Sequence, residues 1–430
     1  MKLSDIDGHS TRPKLVVDTS ALQANYRHLD KLSGKARIGA SVKADGYGLG
    51  LEAVGKALYG AGCRAFFVAT AGEGRMLREA VGENPTIYVL NGPAPQDLAL
   101  FFKSDLRPVL NTVYQVRLWE DAATAANRAP YSALMIDTGM NRLGVSETDI
   151  RALGKPVWDR VGLDHVMSHL ACADTPDHPM NAKQLKAFKR LSTLLPPKTM
   201  SLANSAGVYL GKPYHFQMVR PGIALYGGRA TPGEQGTQPV ASIEATVLQV
   251  REVKAGETVG YDATFTAETD MRVAVIGAGY ADGIPVAVSN AGGLVTLNGK
   301  TVRIVGRVSM DLTCVDVSRI RAKVGDTASF LGPNLSRTAE AAGTIDYELL
   351  VRLGQRLRRD YRRGTPSPGG RGAPRGGAGA RRGEGRGPKG RAGSPPRGTA
   401  PARRSSADAA RSRPSRDRRS GPPKGRPPRS

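Results

Sequence analysis

The chain has 430 residues and a formal net charge of +24, a length suggesting about two to three domains. The charge is uneven: residues 364–430 hold 18 of the 62 Lys and Arg but only 3 of the 38 Asp and Glu, so the remainder is only moderately basic. Cys63, Cys172 and Cys314 supply neither a disulfide framework nor a CxxC metal site, and no apolar run approaches the ~18 residues of a membrane helix. Met1 to Lys14 lacks an apolar signal-peptide centre, so a reducing cytoplasm is the expected compartment.

Leu15-Val16-Val17 reads as a strand, and Thr19 or Ser20 is placed to cap a helix around Leu22 to Leu29. From residue 36 to 227, short β-like runs alternate with amphipathic stretches. The runs are 36–44, 65–70, 86–90, 107–110, 132–138, 162–170, 200–205 and 218–227, with helical patterns such as Leu51 to Leu58 and Asn181 to Leu195 between them. Eight such units point to a TIM-like (β/α)8 barrel of the α/β class, a better fit than a doubly wound open sheet. After about residue 236, β-rich segments take over: Ile243 to Val253, Met271 to Ile276, Leu294 to Leu297, Thr301 to Val305 and Thr327 to Leu331. Asn298-Gly299 signals a hairpin, and a short helix is expected around Tyr347 to Leu357.

The expected layout is thus a barrel domain over 1–235, a mostly β domain over 236–363 and a disordered Arg/Gly/Pro-rich tail over 364–430. The tail has no Val, Ile, Leu, Met, Phe, Tyr, Trp or Cys and cannot build a core. Without an aromatic residue for base stacking, any nucleic-acid binding by it is expected to be unspecific.

Active sites of such barrels lie at the C-terminal strand ends. Those ends carry Lys43, Arg142, His169, Asn204-Ser205 and Arg220-Pro221-Gly222-Ile223. A lysine at a buried strand end is hard to keep charged, and its neutral amine is a nucleophile able to form an imine. The loops after strands seven and eight are where barrels hold phosphate, and Ser205, Gly222 and Ile223 suit that role. An imine-forming lysine beside a phosphate cradle implies pyridoxal 5′-phosphate (PLP).

The segments VKADGYGLG (42–50), DTGMNRLG (137–144), SHLACAD (168–174), ANSAG (203–207), RPGIALYG (220–227), GYADG (279–283), GRVSMD (306–311) and TIDYE (344–348) stand in this order. Over residues 12–363 the chain resembles the alanine racemase family, whose fold is a PLP-binding barrel followed by a β domain. The resemblance implies that Lys43 holds PLP and acts as one acid/base group. Tyr280 would be the other, contributed across a homodimer interface. It further implies that Tyr47, Ser205, Gly222, Ile223 and Tyr347 contact the phosphate, beside Asn204, and that Arg220 faces the pyridine nitrogen with His169 hydrogen-bonded behind it. Arg142 and the Met310 backbone would meet the substrate, with Tyr261 helping to close the site around a small side chain. Two departures stand out. Met135 occupies a position where many members carry a carbamylated lysine, and Leu49 replaces a common histidine.

Rival readings are weaker. Gly277 to Gly283 has its third glycine one residue late for a dinucleotide loop, and Pro285 interrupts any helix there. Asp137-Thr138-Gly139 has no second copy, so the paired carboxylates of an aspartic protease are missing. PLP-barrel amino-acid decarboxylases resemble the layout but place an acidic residue at the pyridine nitrogen, where Arg220 stands. Single-domain PLP-homeostasis proteins lack the β domain. Racemisation of another small amino acid such as serine stays open, because one methylene discriminates only ~10–200-fold. The expected activity is the interconversion of L- and D-alanine, supplying peptidoglycan precursors.

Overall fold

The computed structural model describes residues 12–363 except 128–130, 197 and 235; the expected disordered tail lies outside the described residues. Strand β1 (Lys14–Asp18) leads into helix α1 (Thr19–Ser33). The helix cap is Asp18, whose carboxylate accepts from the N–H groups of Ser20 and Ala21, rather than Thr19 or Ser20. The shorter reach from Asp18 meets the first free amides directly.

Eight short parallel strands then close into a barrel: β2 (Arg37–Ser41), β3 (Ala65–Val68), β4 (Thr86–Val89), β5 (Leu106–Leu110), β6 (Ser132–Met135), β7 (Leu163–Met167), β8 (Thr199–Ser201) and β9 (Met218–Val219). Closure comes from β2 pairing with β9, Arg37 opposite Met218. Period-2 alternation divides the strand residues between two cores. Phe67, Tyr88, Val109, Ala133, Met135, Met167 and Met218 cluster inside the barrel, whereas Phe66, Val68, Ile87 and Val166 join the larger core beneath the helices. Gly39 is required here, since a Cβ would lie 2.4 Å from the Phe67 ring.

The second unit is built on the long strand β10 (Ala241–Val253), followed by β11 (Thr258–Val259) and β12 (Phe265–Thr266), then β13 (Met271–Ile276). The Asn298-Gly299 turn joins β14 (Leu294–Leu297) to β15 (Lys300–Arg303) as the hairpin signal implies, both turn residues having positive φ. Strands β16 (Thr313–Asp316) and β17 (Thr327–Leu331) complete its core.

Three features were not legible in the sequence. β1, the strand before the barrel, pairs with β10 and so belongs to this sheet. The final helix is Asp346–Val351, shorter than expected, and the chain then forms β18 (Arg358–Arg362), parallel to β1. The Arg-Arg-Asp-Tyr-Arg sequence of β18 looks like a solvated run, yet its charges are paired across strands. Arg362 meets Glu244 at 3.0 Å, and Lys14 meets Glu244 at 3.2 Å. Among the described residues no helix is long and apolar enough to cross a membrane.

Candidate active site

The C-terminal mouth of the barrel holds a cavity of about 770 Å³. It is lined by Lys43, Tyr47, Arg142, His169, Asn204, Ser205, Arg220, Gly222, Ile223 and Tyr347, so ten residues expected at the site converge on one space. Burial and then the nearby Arg142 guanidinium hold the Lys43 amine below the usual lysine range, with Glu73 opposing. Both main causes favour the neutral, nucleophilic form.

Lys43 does not end a long strand. β2 stops at Ser41, and Ala44, Asp45, Gly46 and Tyr47 all have positive φ, from 54° to 63°, forming a left-handed turn. For the non-glycine residues this costs roughly 1 kcal/mol each. The Glu73 carboxylate meets the turn, accepting from Ala44 N–H at 2.6 Å. Asp45 Oδ1 in turn accepts from Leu51 N–H at 2.8 Å.

The turn delivers Tyr47 to the cavity wall. Its ring stacks on Tyr226 at 4.4 Å, and its hydroxyl lies 2.0 Å from where a Gly222 Cβ would stand. Residue 222 is therefore a glycine so that phenol and backbone can approach. Ser205 Oγ accepts from Gly222 N–H at 2.8 Å. The hydroxyls of Tyr47, Ser205 and Tyr347, with the Ile223 backbone beside Gly222, form a polar corner of the cavity suited to a phosphate. Asn204 contributes differently, its side chain capping the short helix Ser205–Tyr209 through Gly207 N–H at 2.9 Å.

On the cavity floor, Arg220 is buried and its guanidinium donates to Ser201 Oγ and the Ser168 carbonyl. Burial pushes it down to about 10, which still leaves a cation at neutral pH. Among the described residues it has no carboxylate partner. His169 is pushed down to about 3, by burial and then by Arg220, Arg142 and Lys43. It is a neutral imidazole throughout the working range. The expected hydrogen bond between His169 and Arg220 is absent. The arginine fork is taken up by the ends of β7 and β8, which lie within its reach.

Arg142 sits on the loop after β6, ordered by Asp137 Oδ1, which accepts from the N–H groups of Gly139, Met140 and Asn141 at 2.9, 3.0 and 3.2 Å. Its guanidinium makes no hydrogen bond or ion pair among the described residues. Met135 is buried inside the barrel.

Tyr280 and Met310 lie elsewhere. Neither lines the cavity; they are 44% and 53% exposed, on the second unit, and Tyr261 is 67% exposed. The first two form one block, with Tyr280 N–H donating to Ser309 O and Ala281 N–H to Met310 O, both at 3.0 Å. Beneath it, the fully buried Asp282 carboxylate accepts from Gly279 N–H at 2.9 Å and is gripped by Arg356, whose other arm meets Asp311 at 2.6 Å.

Known proteins resolve what this arrangement belongs to. Family models for the N-terminal and C-terminal domains of alanine racemase match residues 17–230 and 240–361. The chain belongs to the alanine racemase family. A biosynthetic alanine racemase of Agrobacterium fabrum is 44% identical, covering 81% of this chain and 93% of its own. An alanine racemase of Cereibacter sphaeroides is likewise 44% identical, with 81% and 97% covered. Among solved structures, alanine racemase from Bartonella henselae, with covalently bound pyridoxal phosphate, superposes with TM-score 0.76 at 36% identity, covering 81% of this chain and 99% of its own. The Streptomyces coelicolor racemase gives 0.77 at 31%, with 83% and 99% covered.

The residues that sequence reasoning missed are those acting on backbone. Gln184 donates to His169 O at 2.8 Å and accepts from Ala171 N–H at 2.8 Å, fixing the loop that carries His169. Glu73 and Asp282 do the same for Lys43 and Tyr280. The one available signal was Asp282 itself, inside GYADG.

Proposed function

We propose that the protein is a PLP-dependent alanine racemase working with two bases, Lys43 and Tyr280, as a homodimer in the cytoplasm. In this reading the expected division at residue 235 separates the cofactor-holding barrel from the domain over 236–363 that lends Tyr280 and Met310 to the partner's cavity, with β1 the exception that joins the second sheet. The exposure of both residues, on a block too well bonded to be a mobile loop, supports a surface built to be covered.

The cavity fits the cofactor by its donor set. Lys43 would hold it covalently, the corner of Tyr47, Ser205, Gly222, Ile223 and Tyr347 would take the phosphate, and Asn204 would order that corner. When bound, PLP makes the Cα–H of an amino acid acidic. Inversion needs proton removal on one face and return on the other, by groups able to act near the working pH. The depression of Lys43 serves that need on its side. Arg142, unpaired at the mouth among the described residues, is available to the substrate carboxylate.

The observation that carries the reaction type is Arg220. A buried guanidinium without a carboxylate can only donate, so it suits an unprotonated ring nitrogen. That weakens the cofactor as an electron store and favours prompt return of the proton to Cα. Neutral His169 leaves this cation undiluted. An acidic residue there would favour decarboxylation chemistry instead. The test is the absorption spectrum of purified protein with L-alanine, followed by chiral and carbon-dioxide analysis. D-alanine without carbon dioxide is expected. Retained cofactor absorption with no D-alanine would reject the proposal.

A further inference from the structure

Glu73 has a geometry that its place in helix Ala71–Val81 does not require. It closes a capping box with Thr70, Thr70 Oγ1 accepting from Glu73 N–H at 3.2 Å. A capping glutamate needs one carboxylate arm for that. Here Oε2 accepts from Ala69 N–H at 2.7 Å and Thr70 N–H at 3.3 Å, while Oε1 crosses to Ala44 N–H at 2.6 Å and Asp45 N–H at 3.4 Å. One carboxylate thus ties the end of β3 to the residue following Lys43.

The turn it meets is left-handed at four consecutive residues, of which Gly46 takes that conformation freely, Asp45 at some cost, and Ala44 and Tyr47 least readily. A turn of that kind persists only where its surroundings over-determine it. Downstream it is held by Asp45 on Leu51 N–H and by Arg359 and Tyr361 on the carbonyls of Gly48 and Leu49. At Ala44, the amide adjoining Lys43, the side-chain brace is Glu73.

Resting on the assignment of Lys43 as the cofactor amine, we infer that Glu73 is a positioning residue that holds the Lys43–Tyr47 turn through its backbone amides. Its charge also acts on the amine, against Arg142, while Asp45 is within 3.5 Å of Arg359 and the neighbouring His169 is neutral. Loss of the carboxylate therefore lets the Lys43 amine titrate at lower pH, because the anion that opposes burial and Arg142 is removed.

Two variants separate this role from helix capping. Thr70→Ala removes the other half of the capping box and leaves both carboxylate arms in place. Glu73→Gln keeps the shape but turns one arm into a donor facing amides. The full-length protein is treated with acetic anhydride across pH, before and after adding PLP, and Lys43 acylation is read by peptide mass spectrometry. Protection of Lys43 by PLP tests the underlying assignment. The brace predicts that Glu73→Gln lowers the Lys43 titration midpoint, speeds hydrogen exchange over residues 44–48 and reduces kcat roughly 10- to 100-fold, with Thr70→Ala changing none of these. If Glu73→Gln matches Thr70→Ala in all three, the inference is overturned. Should Glu73→Gln not fold, exchange on the wild-type protein decides: Ala44 and Ala69 amides must both be protected, and free exchange at Ala44 rejects the brace.

Discussion

Lys43 and Tyr280 stand in opposite surroundings. The lysine lines a cavity that its own chain forms, open to that space and under the opposed charges of Arg142 and Glu73, beside a turn forced into the left-handed region. The tyrosine is 44% exposed on a short 3-10 turn of ordinary handedness. Each is nevertheless held from behind by a carboxylate that accepts backbone N–H groups, Glu73 for one and the buried Asp282 for the other. The contrast teaches that a rigid backbone and a pocket are separate provisions. Both groups are accessible and held by a braced backbone, and only the lysine faces a cavity made by its own chain.

The sharpest way to break this contrast is to divide the two groups between subunits. Lys43→Ala and Tyr280→Phe should each lower racemisation by at least about 10²-fold. Co-refolding the two inactive proteins in equal amounts should then restore about a quarter of wild-type activity, since half the dimers carry one intact site. Activity no greater than the sum of the parents would place both groups in one subunit.

A smaller effect is expected from the brace beneath the tyrosine. Arg356→Ala leaves the Asp282 carboxylate buried with Gly279 N–H as its remaining partner, at a cost of roughly 1–3 kcal/mol in unfolding free energy. It should also lower kcat while leaving the cofactor spectrum of the barrel unchanged. Denaturant unfolding and absorption together check this, and a disturbed spectrum would mean that the two regions are less independent than their separate braces imply.

The smallest effect concerns pH. His169 is near 3 when folded against an ordinary value of 6.5, so the unfolded chain binds a proton that the folded chain refuses. Stability should therefore fall as pH drops from about 6.5 toward 3, by at most a few kcal/mol. In His169→Asn that part of the decline should be missing when unfolding is followed from pH 7 to 4.5. Parallel curves for the two proteins would show that the imidazole titrates freely.

The barrel was legible because its strands are short apolar runs in regular alternation, and the hairpin at Asn298-Gly299 because only such residues take that turn. The cavity was legible for a related reason: Lys43, His169 and Ser205 fall at ends of those runs, Arg142 follows one, and Arg220 comes directly after the two-residue strand β9. What escaped lies in long-range backbone contacts. Nothing in a charged segment such as Arg358–Arg362 announces a strand whose partner is Lys14–Asp18. Nor does a glutamate three residues into a helix announce that its second oxygen reaches Ala44 on another strand's turn.

The pairing of β18 with β1 bears on how the molecule comes into being. Arg359 and Tyr361 donate to the carbonyls of Gly48 and Leu49 at 3.1 and 3.0 Å across more than 300 residues of sequence. A chain emerging from the ribosome can assemble most barrel strands from neighbouring contacts, but the loop after its first barrel strand waits for residues made far later. Translation must run nearly to residue 362 before that loop is seated, so chains cut short of it lack a finished cradle.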